Sequence, residues 1–157
     1  ETALVVFLDR VTDPHNLGAI LRSADLFEVD FVILPAKRSA RLNPTVAKTS
    51  AGASNYVPVV SIPNLTRALD ELKRAGFWIY GADAGGKPAY KIDLTGKVAL
   101  VMGSEGSGLG RLIRERCDEI LSIPVSGNID SLNVSVAAGV CIYEVRRQQD
   151  FRYERSR

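Results

Sequence analysis

Four glycines stand within eight positions at residues 103–110, directly after the apolar run 98–102. Glycine lets the backbone adopt positive φ angles and approach a ligand closely, so this loop is a candidate ligand site. A phosphate loop needs a lysine and a hydroxyl residue after its last glycine, and a dinucleotide site needs G-x-G-x-x-G; neither spacing is present. Because Glu105 would repel phosphates, we expect a cationic or hydroxyl-bearing ligand rather than ATP or NAD.

A second glycine-rich segment, residues 81–87, matches the glycine and lysine spacing of a phosphate loop. Pro88 stands where that loop needs a magnesium-binding hydroxyl group. Residues 89–93 also lack the pattern of the helix that should follow. We therefore interpret the segment as a turn.

Two further segments carry polar candidates at the starts of helical patterns. In residues 123–133, Ser131 has the side chain of an N-cap for a helix extending to about residue 147, with Asn133 in its first turn. The earlier helix begins at Asp13-Pro14, and Arg22 lies opposite its apolar stripe. Each feature has a structural alternative: close helix packing for the segment after Ser131, helix capping for Asn16, and ordinary solvent exposure for Arg22. We regard His15 as structural.

These candidates lie between alternating patterns of strand and helix. Apolar runs of strand length occupy residues 4–8, 31–34, 57–60, 77–80, 98–102 and 120–123. A further helical pattern between them is capped by Asn64 and followed by Gly76. The alternation indicates an α/β fold, a parallel sheet flanked by helices. Ligands of such sheets bind beyond the carboxyl ends of strands, which selects the loops 9–16, 103–110 and 124–130.

Composition limits the class of protein. The chain has 157 residues, a net charge of +2 and no apolar run long enough to cross a bilayer, so we expect a cytoplasmic single domain without membrane contact. Two cysteines and one histidine are too few for a zinc cluster, and we expect no metal and reduced thiols. The tail 146–157 is basic, and we interpret it as solvated. A second basic patch, solvated or RNA-binding, comprises Lys37, Arg38, Arg41 and Lys48.

Three segments together resemble the TrmH branch of the SPOUT superfamily, a group of RNA ribose 2′-O-methyltransferases. They are residues 13–24 (DPHNLGAILRSA), 100–109 (LVMGSEGSGL) and 123–135 (IPVSGNIDSLNVS). Their order, spacing and content match the three motifs of that branch. The likeness covers nearly the whole chain and stops short of the tail.

The resemblance implies a fold, a cofactor and an assembly. The fold would be a parallel α/β sheet with a C-terminal trefoil knot, the SPOUT fold. The catalytic domain would span residues 1–147, followed by the basic tail 148–157, and would act as a homodimer with each active site near the subunit interface. The cofactor would be S-adenosylmethionine, in a pocket lined by Ala82, Met102, Gly103, Ile123 and Leu132.

The resemblance also assigns catalytic positions for methylation of a ribose 2′-hydroxyl group, namely Asn16, Arg22, Glu105, Ser131 and Asn133. Arg22 matches the arginine implicated in activating the hydroxyl. Arginine loses its proton only above about pH 12, so we expect Arg22 to hold a phosphate and stabilise the emerging alkoxide; proton transfer is the alternative. Glu105 would organise the site, and Ser131 and Asn133 would fix the third motif.

The sequence of residues 131–137 is most similar to the third motif of the family members that methylate a guanosine in 23S rRNA. Those members carry an extra N-terminal RNA-binding domain, and the start at Glu1 leads us to expect such a domain outside this sequence. A tRNA substrate is one alternative, and a non-catalytic RNA-binding module on the same fold is another. A Rossmann-type oxidoreductase is disfavoured because its glycine fingerprint is absent.

Overall fold

The computed structural model describes residues 1–37, 41–104, 106–129 and 131–151. Six parallel strands form one sheet in the order β3-β2-β1-β5-β4-β6. The strands are β1 (Ala3–Leu8), β2 (Phe31–Pro35), β3 (Val59–Ile62), β4 (Trp78–Pro88), β5 (Lys97–Met102) and β6 (Glu119–Ser122). The helices are α1 (Pro14–Leu26), α2 (Pro44–Thr49), α3 (Leu65–Arg74), α4 (Arg111–Arg116) and α5 (Val134–Gln148). The predicted α/β class and parallel sheet are confirmed.

Strand β1 shows why its apolar run is continuous instead of alternating. Leu4, Val6 and Leu8 belong to the core cluster beneath α1 and α5. Val5 and Phe7 belong to a second cluster on the opposite face, with residues of α3 and α4. Successive side chains of a strand point to opposite faces, so a strand covered on both sides is apolar throughout.

Helix starts follow the predicted capping chemistry at two places. The Asp13 side chain accepts a hydrogen bond from the His15 amide at 2.8 Å, and Asn64 accepts one from the Arg67 amide at 3.1 Å. Helix α2 has the same signature in Asn43-Pro44, with the Asn43 side chain accepting from the Val46 amide at 2.9 Å. That signature would have predicted α2, which the pattern of apolar residues did not.

The structure corrects two local predictions. Residues 81–87 are not a turn, because they continue strand β4, which pairs with β6 on both sides of a register shift between Ala82 and Lys87. Helix α5 starts at Val134 with Asn133 as its N-cap, not at Ser131. Asn133 accepts from the Ser135 amide at 2.9 Å, and asparagine caps as well as serine does.

Arg146 is not part of a solvated tail. It lies inside α5 with only 1% of its surface exposed. Its guanidinium donates to the Phe27 carbonyl at 2.9 Å and to the Glu28 carbonyl, just past the end of α1, and lies 3.6 Å from Asp30. Arg146 therefore fastens α5 to the end of α1, since a buried arginine needs such partners. Residues 152–157 of the tail, and Arg38 of the other basic patch, lie outside the described residues.

No helix within the described ranges is long and apolar enough to cross a membrane. The same residues contain no group of histidine, cysteine, aspartate and glutamate side chains arranged to hold a metal ion. Both cysteines are free thiols. Burial raises the pKa of Cys117 to about 11 and that of Cys141 to about 12. Both thiols are therefore neutral near pH 7 and are poor nucleophiles.

Candidate functional site

A cavity of about 360 Å³ opens at the carboxyl ends of β4, β5 and β6, in the volume range of small-molecule sites. We call it the loop cavity. Three stretches of chain surround it: the β4 bulge at the register shift between residues 82 and 87, the glycine loop at residues 103–110, and the segment that leads from β6 into α5. Its lining residues are Ala82, Asp83, Ala84, Gly85, Met102, Gly103, Ser104, Gly106, Gly108, Leu121, Ser122, Ile123, Val125, Ser131, Leu132, Val134 and Ala137.

All five residues predicted to bind the cofactor line this one cavity, although they are spread over 51 positions of sequence from Ala82 to Leu132. Ala82 comes from β4 and Met102 ends β5. Gly103 opens the glycine loop, while Ile123 and Leu132 lie between β6 and α5. Parallel strands end at the same edge of a sheet, and that geometry brings the segments together.

The glycine loop folds back on itself as a small hairpin. Ser104 and Gly108 exchange two backbone hydrogen bonds of 3.1 and 3.2 Å, and the hydroxyl groups of Ser104 and Ser107 hydrogen-bond at 2.7 Å. Gly108 has a φ of +68°, which favours glycine. A Cβ on Gly103 would lie 2.3 Å from the Gly108 carbonyl carbon, so only glycine fits there.

The charges around the loop cavity are few. Asp83 is the one ionisable side chain among the described residues of its lining, and none of those residues is basic. Apolar side chains, including Met102, Leu121 and Ile123, make up much of the wall. The Ser122 hydroxyl donates to the Gly86 carbonyl at 2.7 Å, which ties β6 to the β4 bulge. This lining suits a ligand with an apolar ring and a positive charge better than one with phosphates.

The first and third motifs meet through two asparagines. Asn133 Nδ2 donates to Asn16 Oδ1 at 3.1 Å, across 117 positions of sequence. Asn16 is buried in the first turn of α1, with 8% of its surface exposed. The side-chain amide of Asn133 therefore joins the start of α5 to the start of α1. Ser131 lies on the wall of the loop cavity.

Arg22 lies elsewhere, exposed on α1 as predicted. It lines an open groove between α1 and α5, which we call the α1–α5 groove. Successive residues of α5 separate the two sites: Val134 and Ala137 line the loop cavity, whereas Ser135 and Val136 line the groove. The remaining groove residues are Ala19, Ser23, Phe27, Thr49, Gly139, Val140 and Tyr143.

Glu105 lies outside the described residues. Sequence reasoning missed Asp83, which stands in the segment interpreted as a turn, and Arg114, its partner at 2.8 Å. An acidic residue three positions after the apolar run 77–80 was the available signal, since residues that follow such a run lie near the ligand edge of a parallel sheet.

Comparison with known proteins assigns the chain to a family. Residues 3–143 match the SpoU rRNA Methylase family. The chain is 53% identical over 148 residues to a 23S rRNA (guanosine-2′-O-)-methyltransferase RlmB of Xanthomonas campestris pv. campestris, covering 94% of this chain and 59% of the relative. The corresponding Pseudomonas aeruginosa protein is 50% identical over 147 residues, covering 93% and 59%. The chain thus spans about three fifths of the length of these relatives.

Solved structures agree. The SpoU methyltransferase AviRb from Streptomyces viridochromogenes, in complex with AdoMet, superposes with a TM-score of 0.85 at 33% identity, covering 93% of this chain and 57% of that one. The A. aeolicus TrmH/SpoU tRNA modifying enzyme gives a TM-score of 0.84 at 32% identity, covering 99% and 78%. The motifs, the sheet order and these matches lead to one conclusion: the chain belongs to the SpoU rRNA methylase family.

Proposed function

We propose that this chain is the catalytic part of an enzyme that transfers a methyl group from S-adenosylmethionine to a ribose 2′-hydroxyl group of RNA, namely of a guanosine in 23S rRNA. The observation that carries the proposal is the loop cavity, where segments of the second and third motifs form one small-molecule site. About 50% identity to proteins named for this reaction supports the choice of RNA.

The loop cavity fits the proposed cofactor. S-adenosylmethionine carries a positive sulfonium and several hydroxyl and amine donors, and the cavity offers serine hydroxyl groups and exposed backbone. Its apolar wall of Met102, Leu121 and Ile123 suits an adenine ring. A phosphate-bearing nucleotide would find no cationic side chain among the described lining residues. The AdoMet complex of AviRb, a related structure, supports the same assignment.

When bound, the cofactor supplies an electrophilic methyl group that needs no further activation. The task of the protein is to make the ribose hydroxyl a better nucleophile. Arg22, exposed on α1, would hold a backbone phosphate of the RNA and stabilise negative charge as it develops on the 2′-oxygen. Proton transfer by Arg22 is the alternative. A pH–rate profile of Arg22→Lys distinguishes the two, because retained activity with a new lysine-like limb would favour proton transfer.

The other predicted catalytic residues would position the substrate. The Asn133–Asn16 hydrogen bond of 3.1 Å fixes the start of α1 against the start of α5, between the cavity and the groove. Ser131 lies on the cavity wall, where its hydroxyl would orient the bound cofactor or ribose. We assign Glu105 the organising role that the family resemblance implies.

We further propose that a second copy of the chain covers the α1–α5 groove. Val136, Val140 and Tyr143 are exposed there by 43 to 51%. Apolar side chains clustered in this way are typical of subunit interfaces. In one copy, α5 presents opposite faces to Arg22 and to the loop cavity. A dimer would let Arg22 of one copy serve the cavity of the other.

Mixing two inactive variants tests this shared site. Arg22→Ala lacks the arginine, and Gly103→Ala lacks a cofactor-binding loop. If the site is shared, mixed dimers contain one intact site and recover up to about one quarter of wild-type activity, the statistical limit for random pairing. No recovery, although native mass spectrometry shows mixed dimers, would place Arg22 and the cavity of one copy in the same site.

We also propose that the C-terminal segment is threaded as a trefoil knot. The support is topological, since β6 lies at the sheet edge beyond β4, whereas α5 packs on α1, near the other half of the sheet. The connecting residues pass the β4 bulge and the glycine loop at the cavity. Pulling the chain from both ends by optical tweezers tests this topology. A knot shortens the fully extended length, and full extension would refute it.

The domain organisation proposed for the whole protein follows the same relatives. Residues 1–147 would form the catalytic domain, residues 148–157 a basic tail, and an N-terminal RNA-binding domain would lie outside this sequence. The cytoplasm, where ribosomal RNA is made in bacteria, would be its location.

Transfer of labelled methyl groups to total bacterial RNA tests the function. We expect label in 2′-O-methylguanosine of 23S rRNA. Label in tRNA would retain the chemistry and overturn the substrate, an alternative that the likeness to the A. aeolicus tRNA modifying enzyme supports. S-adenosylmethionine binding without methyl transfer to any RNA would favour a non-catalytic RNA-binding module.

A further inference from the structure

We propose that Asp83 and Arg114 form a latch that holds the glycine loop in its ligand-binding shape. Asp83 is then a positioning residue for S-adenosylmethionine. The inference rests on the proposed function, because that cofactor is the ligand of the loop cavity. None of the three motif segments contains either residue.

Both oxygens of the Asp83 carboxylate are engaged. Oδ2 accepts a hydrogen bond from Arg114 Nη1 at 2.8 Å, and Oδ1 accepts one from the Ala84 amide at 2.8 Å. Asp83 belongs to the β4 bulge, and Arg114 belongs to α4, which follows the glycine loop. Because each oxygen has its own donor, the plane of the carboxylate is fixed.

The glycine loop lies against this fixed carboxylate. A Cβ on Gly108 would be 3.0 Å from both Asp83 oxygens, so the Asp83 carboxylate fills the space beside Gly108 that a side chain would occupy. Gly108 also closes the hairpin with Ser104, through hydrogen bonds of 3.1 and 3.2 Å. Asp83 thereby connects three elements, namely the β4 bulge, the glycine loop and α4. Because these elements are packed together through Asp83, a shift of one displaces the others.

The exposure of the pair sets the size of its effect. The side chains of Arg114 and Asp83 are 44% and 25% exposed, and ion pairs at such positions add little to global stability. A small local preference still matters for binding, because a loop that is already in shape loses less entropy when the ligand arrives. Breaking the pair should weaken cofactor binding by about three- to fivefold, with the melting temperature nearly unchanged.

Calorimetric titration with S-adenosylmethionine tests the latch in Asp83→Asn, Arg114→Gln and the double variant. Asparagine keeps the oxygen that accepts from the Ala84 amide and replaces the oxygen that accepts from Arg114 with an NH2 group, which cannot accept. We expect each single variant to lose about three- to fivefold in affinity and the double variant to lose no more, since both break one contact. Arg114→Lys should recover most of the loss, because the contact uses a single nitrogen.

Asp70→Asn is the matched control. It breaks another ion pair of α4, Arg116 to Asp70 at 3.5 Å, which joins α4 to α3 instead of the glycine loop. Its cofactor affinity should equal that of the wild type. In methyl-transfer assays the latch variants should raise KM for the cofactor while kcat stays the same, a separation that general destabilisation does not produce.

Two results would overturn the latch while leaving the proposed function standing. One is wild-type affinity in Asp83→Asn, and the other is additive losses in the double variant. Failure of the wild-type chain to bind S-adenosylmethionine would instead refute the proposed function itself.

Discussion

The loop cavity and the α1–α5 groove share one wall, the first turns of α5, but differ in the kind of residues that line them. The cavity is lined by backbone, glycines and buried apolar side chains, and its shape depends on contacts as tight as the one that Gly103 makes with Gly108. The groove is lined mainly by exposed and half-buried side chains of α1 and α5. Precise backbone suits a small cofactor, whereas a broad helical surface suits macromolecules.

The comparison predicts that variants of the two regions will fail in different assays. Arg22→Ala should have the largest effect, lowering kcat by about 100- to 1000-fold, as expected when a stabilising group for developing charge is removed. Its affinity for S-adenosylmethionine should not change, because Arg22 does not line the cavity. Single-turnover methyl transfer and calorimetry measure the two quantities. Loss of cofactor binding in Arg22→Ala would break the division between the regions.

Gly103→Ala should act in the opposite way. The added methyl group would lie 2.3 Å from the backbone of Gly108, so the loop must move and cofactor affinity should fall by about 100-fold. Gly127→Ala is the matched control, since its Cβ would have no atom within 4 Å and Gly127 does not line the cavity. Calorimetric titration of both variants with S-adenosylmethionine measures the two affinities. Similar affinities for the two variants would contradict the tight-loop interpretation.

Val140→Asp should disrupt the groove without affecting the cavity. It places a charge on the surface proposed to contact a second copy, and the dimer dissociation constant should rise by about tenfold or more. Leu112→Asp is the control, because Leu112 is comparably exposed, 55% against 43%, but lies on α4 outside the groove. Sedimentation of both variants over a concentration series measures the effect. An unchanged dimer in Val140→Asp would refute the proposed interface.

Substitutions of Asn133, which lies at the junction of the two regions, should have the smallest effects, and stability is the property to measure first. Asn133→Ala removes the N-cap of α5, which costs about 1 kcal/mol and lowers the melting temperature by about 2–4 °C. Asn133→Asp keeps the capping oxygen and loses the amide that holds Asn16. The aspartate variant should therefore melt nearly as the wild type does while methyl transfer falls. Equal loss of stability in the alanine and aspartate variants would contradict this, and would mean that Asn133 stabilises the fold mainly through its contact with Asn16.

Much of the fold was predictable because local signals agreed with one another. The buried runs around β1 and β5 are apolar on both faces, and the Asp13 and Asn64 caps are complete in a few residues. Errors arose where two local signals competed. Ser131 and Asn133 are both good caps, and in the fold Asn133 caps α5 while its amide contacts Asn16. Residues 81–87 have turn composition but pair with β6, which no local pattern reveals.

The sequence by itself determined the strand and helix types, the sheet class and the identity of the motif residues, because these depend on side-chain chemistry and short-range spacing. The tertiary structure alone decided which motif residues meet. It brought Ala82, Met102 and Leu132 around one cavity and paired Asn16 with Asn133, but left Arg22 on the other face of α5. It also buried Arg146, which the sequence placed in a solvated tail, and bonded its guanidinium to the end of α1. These outcomes depend on strand order and helix packing, which join residues more than a hundred positions apart.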